Sequence, residues 1–237
     1  MQTMDFDGKT VLITGAAGNL GRAVAAAFHE AGASLILVDV KDEFLHKAYP
    51  DPGPRRCCVA ADLMDAASTA AAVDKGYARY NRVDGLCNIA GGFSMGPPVH
   101  ETTAKDWTLM LELNAGTLLN TARSVVPRML AAGSGRIVNV GAGAGQAGRP
   151  YQGAYSAAKS TVIRLTESMS GELRDKGINV NCVLPSIIDT PQNRAAMPKA
   201  DPSKWVAPAD LAQVLLFLCS DRARAIHGAA IPVTGLS

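Results

Sequence analysis

Residues 10–21 have the sequence TVLITGAAGNLG, and this stretch decides the fold. Its first five residues, Thr10–Thr14, are apolar and β-branched, which predicts a short strand. An Ala-rich amphipathic segment follows and predicts a helix. Gly15 permits the sharp turn between them, and Gly21 lets the helix pack closely on the strand. The free N–H groups at such a helix start offer positive potential to a pyrophosphate, although a helix entry that only requires positive φ would use the same glycines.

The alternation of strand and helix continues to the end of the chain. Strands are predicted at Thr10–Thr14, Ser34–Val40, Cys57–Ala61, Gly85–Ala90, Arg136–Val140, Ile178–Leu184 and Ala229–Val233. Helices are predicted at Leu20–Ala31, Ala66–Tyr80, Lys105–Ala132, Tyr155–Lys176 and Ala209–Cys219. Such alternation implies right-handed crossovers and a parallel sheet with helices on both faces. We therefore expect an α/β, doubly wound Rossmann fold with a single seven-stranded sheet in the order 3-2-1-4-5-6-7.

No repeat, low-complexity tract or composition shift divides the chain, so residues 1–237 are expected to form one Rossmann-type domain. Two segments lack clear periodicity. The first is the polar, proline-bearing stretch Lys41–Arg56, and the second is Pro185–Val206, which carries four prolines. Long loops in compact domains usually bind ligands or cover sites, so residues 185–206 are predicted to be a substrate-binding loop or lid.

Composition excludes several classes of function. The net charge is only +2 and the basic residues are scattered, so nucleic acid is not an expected partner. The five cysteines and four histidines show no metal-ligand spacing, so no metal is predicted, and the cysteines are expected to be reduced core thiols. The N-terminal residues lack an export pattern and no apolar run is long enough to cross a bilayer. A cytoplasmic protein without membrane association is expected.

Asp39 lies 18 residues after Gly21, at the end of the second predicted strand. A carboxylate there can accept hydrogen bonds from the ribose hydroxyls of an adenosine and repels a 2′-phosphate. No arginine lies beside Asp39, although Lys41 is two residues away. The pattern favours NAD(H) over NADP(H).

Tyr155 and Lys159 are four residues apart in a predicted helix, so they share one face. An ammonium beside a phenol is expected to lower the tyrosine pKa toward a value useful for acid–base catalysis. The same pair also arises by chance on solvated helices.

Six ordered motifs resemble those of the short-chain dehydrogenase/reductase family, over essentially the whole chain. They are Thr14-Gly15-x-x-x-x-x-Gly21, Asp62-Leu63, Asn88-x-Ala90-Gly91, Asn114, Tyr155-x-x-x-Lys159 and Pro185-x-x-Ile188-x-Thr190. The resemblance implies a homo-oligomer, dimer or tetramer, that transfers hydride between a nicotinamide and a small-molecule substrate.

The resemblance also implies residue roles. Tyr155 would be the general acid or base, Lys159 would hold the nicotinamide ribose, and Asn114 would anchor a proton-relay water. The implied cofactor-binding residues are Gly15, Ala17, Asn19, Leu20, Gly21, Asp39, Asp62, Leu63, Asn88, Ala90, Gly91, Tyr155, Lys159, Pro185, Ile188 and Thr190. Among them, Asp62 and Leu63 would meet the adenine, and Ile188 and Thr190 would hold the carboxamide.

Three positions depart from the family pattern. Asn19 replaces the central glycine of the turn, and Ser186 replaces the glycine usual after Pro185. Ala142, thirteen residues before Tyr155, replaces the serine that donates a hydrogen bond to the substrate oxygen. Loss of one such donor typically costs about 10²–10³ in rate.

The dihydropteridine reductases within this family also lack that serine, and two segments resemble theirs. One is Asp189-Thr190-Pro191-x-Asn193-Arg194-x-x-Met197-Pro198-x-Ala200-Asp201, followed by Trp205, and the other is Ala90-Gly91-Gly92-Phe93. The substrate-contact candidates are Phe93, Ala142, Tyr151 and Trp205, where Trp205 serves either stacking or packing. Two alternatives stay open: a dehydrogenase of secondary alcohols or sugars that works without the serine, and a non-catalytic dinucleotide-binding protein.

Overall fold

The computed structural model describes residues 4–237, so the first three residues of the predicted domain lie outside the description. Seven parallel strands form one sheet in the order β3-β2-β1-β4-β5-β6-β7. The strands are β1 Thr10–Thr14, β2 Ser34–Asp39, β3 Arg56–Ala60, β4 Gly85–Asn88, β5 Gly135–Val140, β6 Ile178–Pro185 and β7 Ala230–Val233. The α-helices are α1 Asn19–Glu30, α2 Asp42–Ala48, α3 Ala66–Tyr80, α4 Ala104–Leu111, α5 Thr117–Ala132, α6 Gly153–Leu173, α7 Pro191–Ala196 and α8 Pro208–Cys219. The predicted fold class and strand order are confirmed.

The two faces of the sheet bury separate apolar layers. Val11 and Ile13 of β1 pack with residues of α1 and α8, whereas Leu12 between them packs with residues of α3 and α5. This is the alternation expected of a strand that is covered on both faces. The sheet therefore forms a rigid middle layer, and its strand ends position the loops that carry the candidate site.

The strand order reverses between β1 and β4, which pair with Ile13 opposite Cys87. The connections that leave these two strands run to opposite sides, so a crevice opens at their carboxyl ends. The Gly15 turn follows β1 and the Ala90-Gly91 segment follows β4. The topology thus brings two of the predicted motifs to one crevice.

Two short helices lie in segments where no helix was predicted. Helix α2 occupies part of residues 41–56, and α7 lies inside residues 185–206. Each has six or seven residues, too few for a helical period to be visible in sequence. Thr190 caps α7 through its hydroxyl, which accepts from the N–H of Asn193, and Pro191 is its first residue.

The long helix predicted over Lys105–Ala132 is interrupted. A π turn at Glu112–Gly116 separates α4 from α5, and the N–H of Thr117 donates to the carbonyl of Glu112, five residues earlier. Such turns often occur at functional sites. Asn114 lies at the centre of this one.

Within residues 4–237, no helix is long and apolar enough to cross a membrane. The same part of the chain contains no group of three or more His, Cys, Asp or Glu residues arranged to hold a metal ion. The five cysteines are unpaired, and Cys87, Cys182 and Cys219 are buried.

Candidate active site

The glycine turn after β1 has the geometry that a bound phosphate requires. Gly15 has φ of +62°, which L side chains rarely adopt, and a Cβ at Gly21 would lie only 2.1 Å from the Gly15 carbonyl oxygen. Thr14 fixes the turn to the next strand, because its hydroxyl oxygen accepts from the N–H groups of Ile89 and Ala90, both at 3.0 Å. Helix α1 then begins at Asn19 with Leu20 and Gly21 in its first turn, so its N–H groups face this loop.

Asp39 ends β2 next to the same turn. One of its carboxylate oxygens accepts from the N–H of Ala17 at 2.9 Å, and the other from the N–H of Val40 at 2.8 Å. The carboxylate is therefore held in place while each oxygen keeps a free lone pair. Tyr49, which sequence reasoning missed, stabilises the turn, because its hydroxyl donates to the carbonyl of Ala16 at 2.7 Å. The segment containing Tyr49 has no periodicity that could have indicated this role.

We expect the wild-type protein to prefer NADH, and Asp39→Ala to narrow that preference mainly through tighter binding of NADPH. The Asp39 carboxylate can accept hydrogen bonds from the ribose diol of NADH. The 2′-phosphate of NADPH would instead bring a second anion next to this carboxylate, where little water screens the repulsion. Titrating both nucleotides against both proteins by fluorescence checks the effect. The control is Asp51→Ala, a change at an exposed acid outside this crevice. Comparable dissociation constants for the two nucleotides in the wild type would contradict the assignment.

The segments predicted to meet the adenosine and line the crevice are supported by buried amides. The Asn120 side chain donates to the carbonyl of Leu63 at 2.9 Å, while Asp62 lies exposed beside it. Asn88 donates to the Asn139 side chain at 2.9 Å and accepts from the Thr121 hydroxyl at 2.7 Å. The side chain of Asn88 therefore stabilises the crevice from inside the protein, and the backbone after it forms the wall.

Gly91, Asn114 and Lys159 lie together at the other end of the crevice. A Cβ at Gly91 would be 2.7 Å from the Asn114 Oδ1 and 3.5 Å from the Lys159 Nζ. The Asn114 amide exchanges hydrogen bonds with the Gly92 backbone, at 3.1 and 3.2 Å, and donates to the Met110 carbonyl at 3.0 Å. The π turn thus turns Asn114 inward and joins α4 to the segment after β4.

Tyr155 and Lys159 share one face of α6, with the Lys159 ammonium 5.9 Å from the tyrosine ring centroid. Burial raises the pKa of Tyr155 to about 12 and lowers the pKa of Lys159 to about 8. The tyrosine shift is opposite to the lowering expected from sequence, because loss of hydration dominates and the ammonium donates to the Val140 carbonyl at 2.9 Å. Tyr155 consequently keeps its proton at neutral pH.

Burial of Lys159 makes stability depend on pH in a defined direction. The unfolded chain holds this proton up to about pH 10.5 and the folded protein releases it near pH 8, so this group makes stability rise with pH between those values. The shift corresponds to roughly 3 kcal/mol lost at pH 7. Replacing Lys159 by methionine removes this cost of burying a charge. The variant also loses the hydrogen bond to the Val140 carbonyl, worth about 1 kcal/mol, so only part of the roughly 3 kcal/mol is recovered.

We expect Lys159→Met to be more stable than the wild type by about 2 kcal/mol at pH 7, with the gap closing near pH 10.5. Urea unfolding of both proteins at pH 7, 9 and 10.5 gives the difference between their free energies of unfolding at each pH. The other buried groups titrate alike in both proteins, so their contributions cancel in this difference. A gap that is the same at all three pH values would show that the folded protein does not bury a charged Lys159.

Ala142 occupies the position at which the family pattern has a serine. It is buried, ends the connection from β5 and precedes the short turn Gly143–Gly145. That turn packs on α6, since a Cβ at Gly145 would be 2.7 Å from the Lys159 carbonyl oxygen. The side chain at position 142, in the connection that packs on α6, is therefore a methyl group with no donor.

Residues 185–206, the predicted substrate-binding loop or lid, form an ordered segment that contains α7. Ile188 pairs with Val206, and the carbonyl of Ile188 accepts from the Asn193 side chain at 2.8 Å, which orders the start of the segment after Pro185. Trp205 is only 7% exposed and Gly235 of the C-terminal tail packs on its backbone, so the structure favours packing over substrate stacking for this residue.

A hydrogen bond joins residues 185–206 to the start of α1, directly after the glycine turn. The Asn19 amide donates to the Gln192 side-chain oxygen at 2.8 Å, and Arg22 donates to the Asn19 oxygen at 3.0 Å. Asn19 takes a helical position as the first residue of α1, so the departure from the family glycine is accommodated without positive φ. The side chain at position 19 joins the two walls of the crevice.

A cavity of about 130 Å³ opens beside Tyr155. Phe93 packs edge-on against the Tyr155 ring, with centroids 5.0 Å apart, and is itself 58% exposed. Tyr151 lines the cavity with φ of +60°, held by the N–H of Gly96 donating to its carbonyl at 2.8 Å. A bulky residue at positive φ is strained, and such strain concentrates at functional sites. Gln152, which also lines the cavity, was missed by sequence reasoning.

Fold and site together define an α/β oxidoreductase of the dinucleotide-binding type. A glycine turn and a strand-end acid lie at one end of the crevice, and a half-buried tyrosine with a buried lysine lies at the other. Residues 9–201 match the family model described as short chain dehydrogenase. The chain belongs to this family.

Curated relatives and solved structures align over nearly the whole chain. Cis-4-hydroxycyclohexanecarboxylate dehydrogenase of Sinomonas cyclohexanicum is 33% identical, over 97% of this chain and 96% of its own. D-threitol dehydrogenase of Mycolicibacterium smegmatis is 32% identical, over 97% and 93%. The crystal structure of carveol dehydrogenase from Mycobacterium avium in complex with NAD superposes with a TM-score of 0.90 at 28% identity, covering 98% of both chains.

Proposed function

We propose that this protein is an NADH-dependent reductase in which Tyr155 donates the proton that completes the reaction. The observation that carries this proposal is the position of Tyr155, which lines the cavity and packs edge-on against Phe93. Burial raises the pKa of its phenol, so the group that faces the cavity at neutral pH is a proton donor. A protonated donor suits reduction, whereas alcohol oxidation needs a base. Lys159 and Asn114 complete the site.

The cofactor is NAD(H), which the NAD-bound relative supports. When bound, it supplies the hydride. The residues that would hold it are the glycine turn and Asp39 at the adenosine end, and Gly91, Lys159 and the start of residues 185–206 at the nicotinamide end. The fit rests on the fixed carboxylate of Asp39 and on the glycines at positions 15, 21 and 91, where a Cβ would collide or be strained.

We propose that the substrate is an electron-poor conjugated ring, of which a quinonoid dihydropterin is the model. With Ala142 in place of a serine, a ketone's developing alkoxide has one strong donor instead of two. A quinonoid ring spreads the incoming charge over several heteroatoms and needs one protonation, which Tyr155 supplies. The exposed ring of Phe93 and the side chain of Tyr151 give a flat substrate a surface for stacking.

A dehydrogenase of secondary alcohols or sugars is the second candidate, because the names of the two curated relatives describe alcohol and polyol oxidation. A non-catalytic dinucleotide-binding protein is disfavoured by the retention of Asn114, Tyr155 and Lys159 in one site. The discriminating experiment follows absorbance at 340 nm, with NADH against quinonoid dihydropterin and ketones, and with NAD against secondary alcohols and sugars. Robust ketone reduction with no turnover of dihydropterin would reverse the order of the candidates.

The predicted cytoplasmic location and homo-oligomeric state remain predictions. Large apolar side chains exposed on α4 and α5 support the second: Trp107, Leu109 and Leu119 are 45%, 41% and 36% exposed. Burying such a surface against a second copy is favourable. Light scattering on the purified protein measures the copy number.

A further inference from the structure

The cavity beside Tyr155 is lined by an amide side chain, that of Gln152, whose polar atoms are nearly unused. The amide nitrogen of Gln152 has Met95 Sδ, at 3.7 Å, as its hydrogen-bond partner within residues 4–237, and no residue of that range donates to its side-chain oxygen. A thioether is a weak acceptor. Because the side chain is half-buried at the cavity wall, its donor and acceptor are available to whatever fills the cavity.

The backbone holds Gln152 firmly in this position. Its N–H donates to the Arg149 carbonyl at 3.2 Å, and its carbonyl accepts from the N–H of Ser156 at 2.7 Å, which makes it the N-cap residue that directly precedes α6. The preceding residue, Tyr151, is the strained one, and its carbonyl is bonded to the Gly96 N–H. The strained backbone conformation of Tyr151 therefore fixes the position of the next residue, Gln152.

Two other polar groups that line the cavity, Asp106 and Ser94, already have hydrogen-bond partners. The Asp106 carboxylate accepts from the Thr103 hydroxyl at 2.7 Å and lies at the exposed start of α4. The Ser94 hydroxyl donates to the Met95 carbonyl at 3.2 Å. Gln152 directly precedes α6 and Tyr155 lies in its first turn, and both residues line the cavity.

We propose that Gln152 is a specificity-determining residue that pairs with the heteroatom edge of the substrate. Its amide donates to a ring carbonyl or imine nitrogen and accepts from the adjacent ring N–H or amino group. The substrate class is a flat conjugated heterocycle with a lactam or amidine edge, and Tyr155 protonates a different part of the same ring. This inference rests on the proposed reductase function and narrows its substrate.

The test compares two flat acceptors with NADH: quinonoid dihydropterin, which has such an edge, and 1,4-naphthoquinone, which has no ring N–H. In Gln152→Leu, the ratio of kcat/KM for dihydropterin to that for naphthoquinone is expected to fall about tenfold, the size expected for two neutral hydrogen bonds. The matched control is Gln213→Leu, at an exposed position of α8, which should keep the wild-type ratio. Calorimetric titration of tetrahydropterin into each protein saturated with NAD provides a readout without turnover, and Gln152→Leu should bind it about tenfold more weakly.

The possible failures are distinguishable. A wild type that turns over dihydropterin, with an unchanged ratio and unchanged tetrahydropterin affinity in Gln152→Leu, overturns the role of Gln152 and leaves the reductase function standing. A ratio that shifts in Asp106→Asn but not in Gln152→Leu does the same and assigns recognition to the carboxylate. A wild type that neither reduces dihydropterin nor binds tetrahydropterin overturns both the inference and the substrate on which it rests.

Discussion

Tyr155→Phe is expected to lower kcat by about 10²–10⁴-fold while leaving the dissociation constant for NADH nearly unchanged. The change removes one hydroxyl, the proton donor, and keeps the ring that packs edge-on with Phe93. Stopped-flow measurement of NADH oxidation with quinonoid dihydropterin separates the chemical step from product release, and fluorescence titration gives the nucleotide affinity. Near wild-type turnover in this variant would show that another group supplies the proton.

Lys159→Ala is the contrasting variant. Its ammonium lies beside both Gly91 and the tyrosine ring, so its removal should weaken nucleotide binding and slow turnover together. Tyr155→Phe should leave nucleotide affinity nearly unchanged, whereas Lys159→Ala should weaken it. Equal nucleotide affinities in the two variants would contradict the assignment of proton donation to Tyr155 and nucleotide binding to Lys159. A circular dichroism spectrum of each variant confirms that the fold is kept.

Ala142→Ser is expected to raise any weak ketone reductase activity by about 10²–10³-fold, since it restores a second donor to the substrate oxygen. It should change the reduction of quinonoid dihydropterin by less than a few fold, because that ring does not concentrate charge on one oxygen. The relevant measurement is kcat/KM for a cyclic ketone and for dihydropterin in both proteins.

Ala142→Gly is the matched control, because it alters the same backbone position without adding a hydroxyl. If Ala142→Ser raises dihydropterin reduction as much as ketone reduction, the reaction on the ring also depends on that donor. The argument that the missing serine selects a conjugated substrate would then be wrong.

The fold could be predicted because its information is local and repeated. The run Thr10–Thr14, its glycines and the following amphipathic helix specify one strand–turn–helix unit, and four further strand–helix pairs that follow the same rule are visible in the sequence. The elements that were missed, α2 and α7, are too short to show a period. The π turn was missed because a one-residue insertion leaves an apolar helix pattern nearly intact over 28 residues, from Lys105 to Ala132.

The candidate site was predictable only where a residue type and its spacing carry the chemistry. Gly15, Asp39, Tyr155 and Lys159 belong to this group. Tyr49 and Gln152 do not, since their roles depend on where a loop carries them: the first to the Ala16 carbonyl, and the second to a cavity wall. The direction of the Tyr155 pKa shift also could not be predicted, because the degree of burial decides it over the neighbouring charge.

The π turn at Glu112–Gly116 sets the angular phase between α4 and α5. An α-helix advances about 100° per residue. One additional residue in the turn therefore rotates the side chains of α4 by about 100° around the helix axis relative to those of α5. Deleting a single residue there would join α4 and α5 into one regular helix. It would also turn the Asn114 side chain away from the Gly92 backbone, to which it is now hydrogen-bonded. Trp107 and Leu109 would rotate to a different side of the molecule. Family members that differ in length at this turn therefore cannot be aligned by helix pattern alone, and grafting α4 between them requires this turn to be transferred with it.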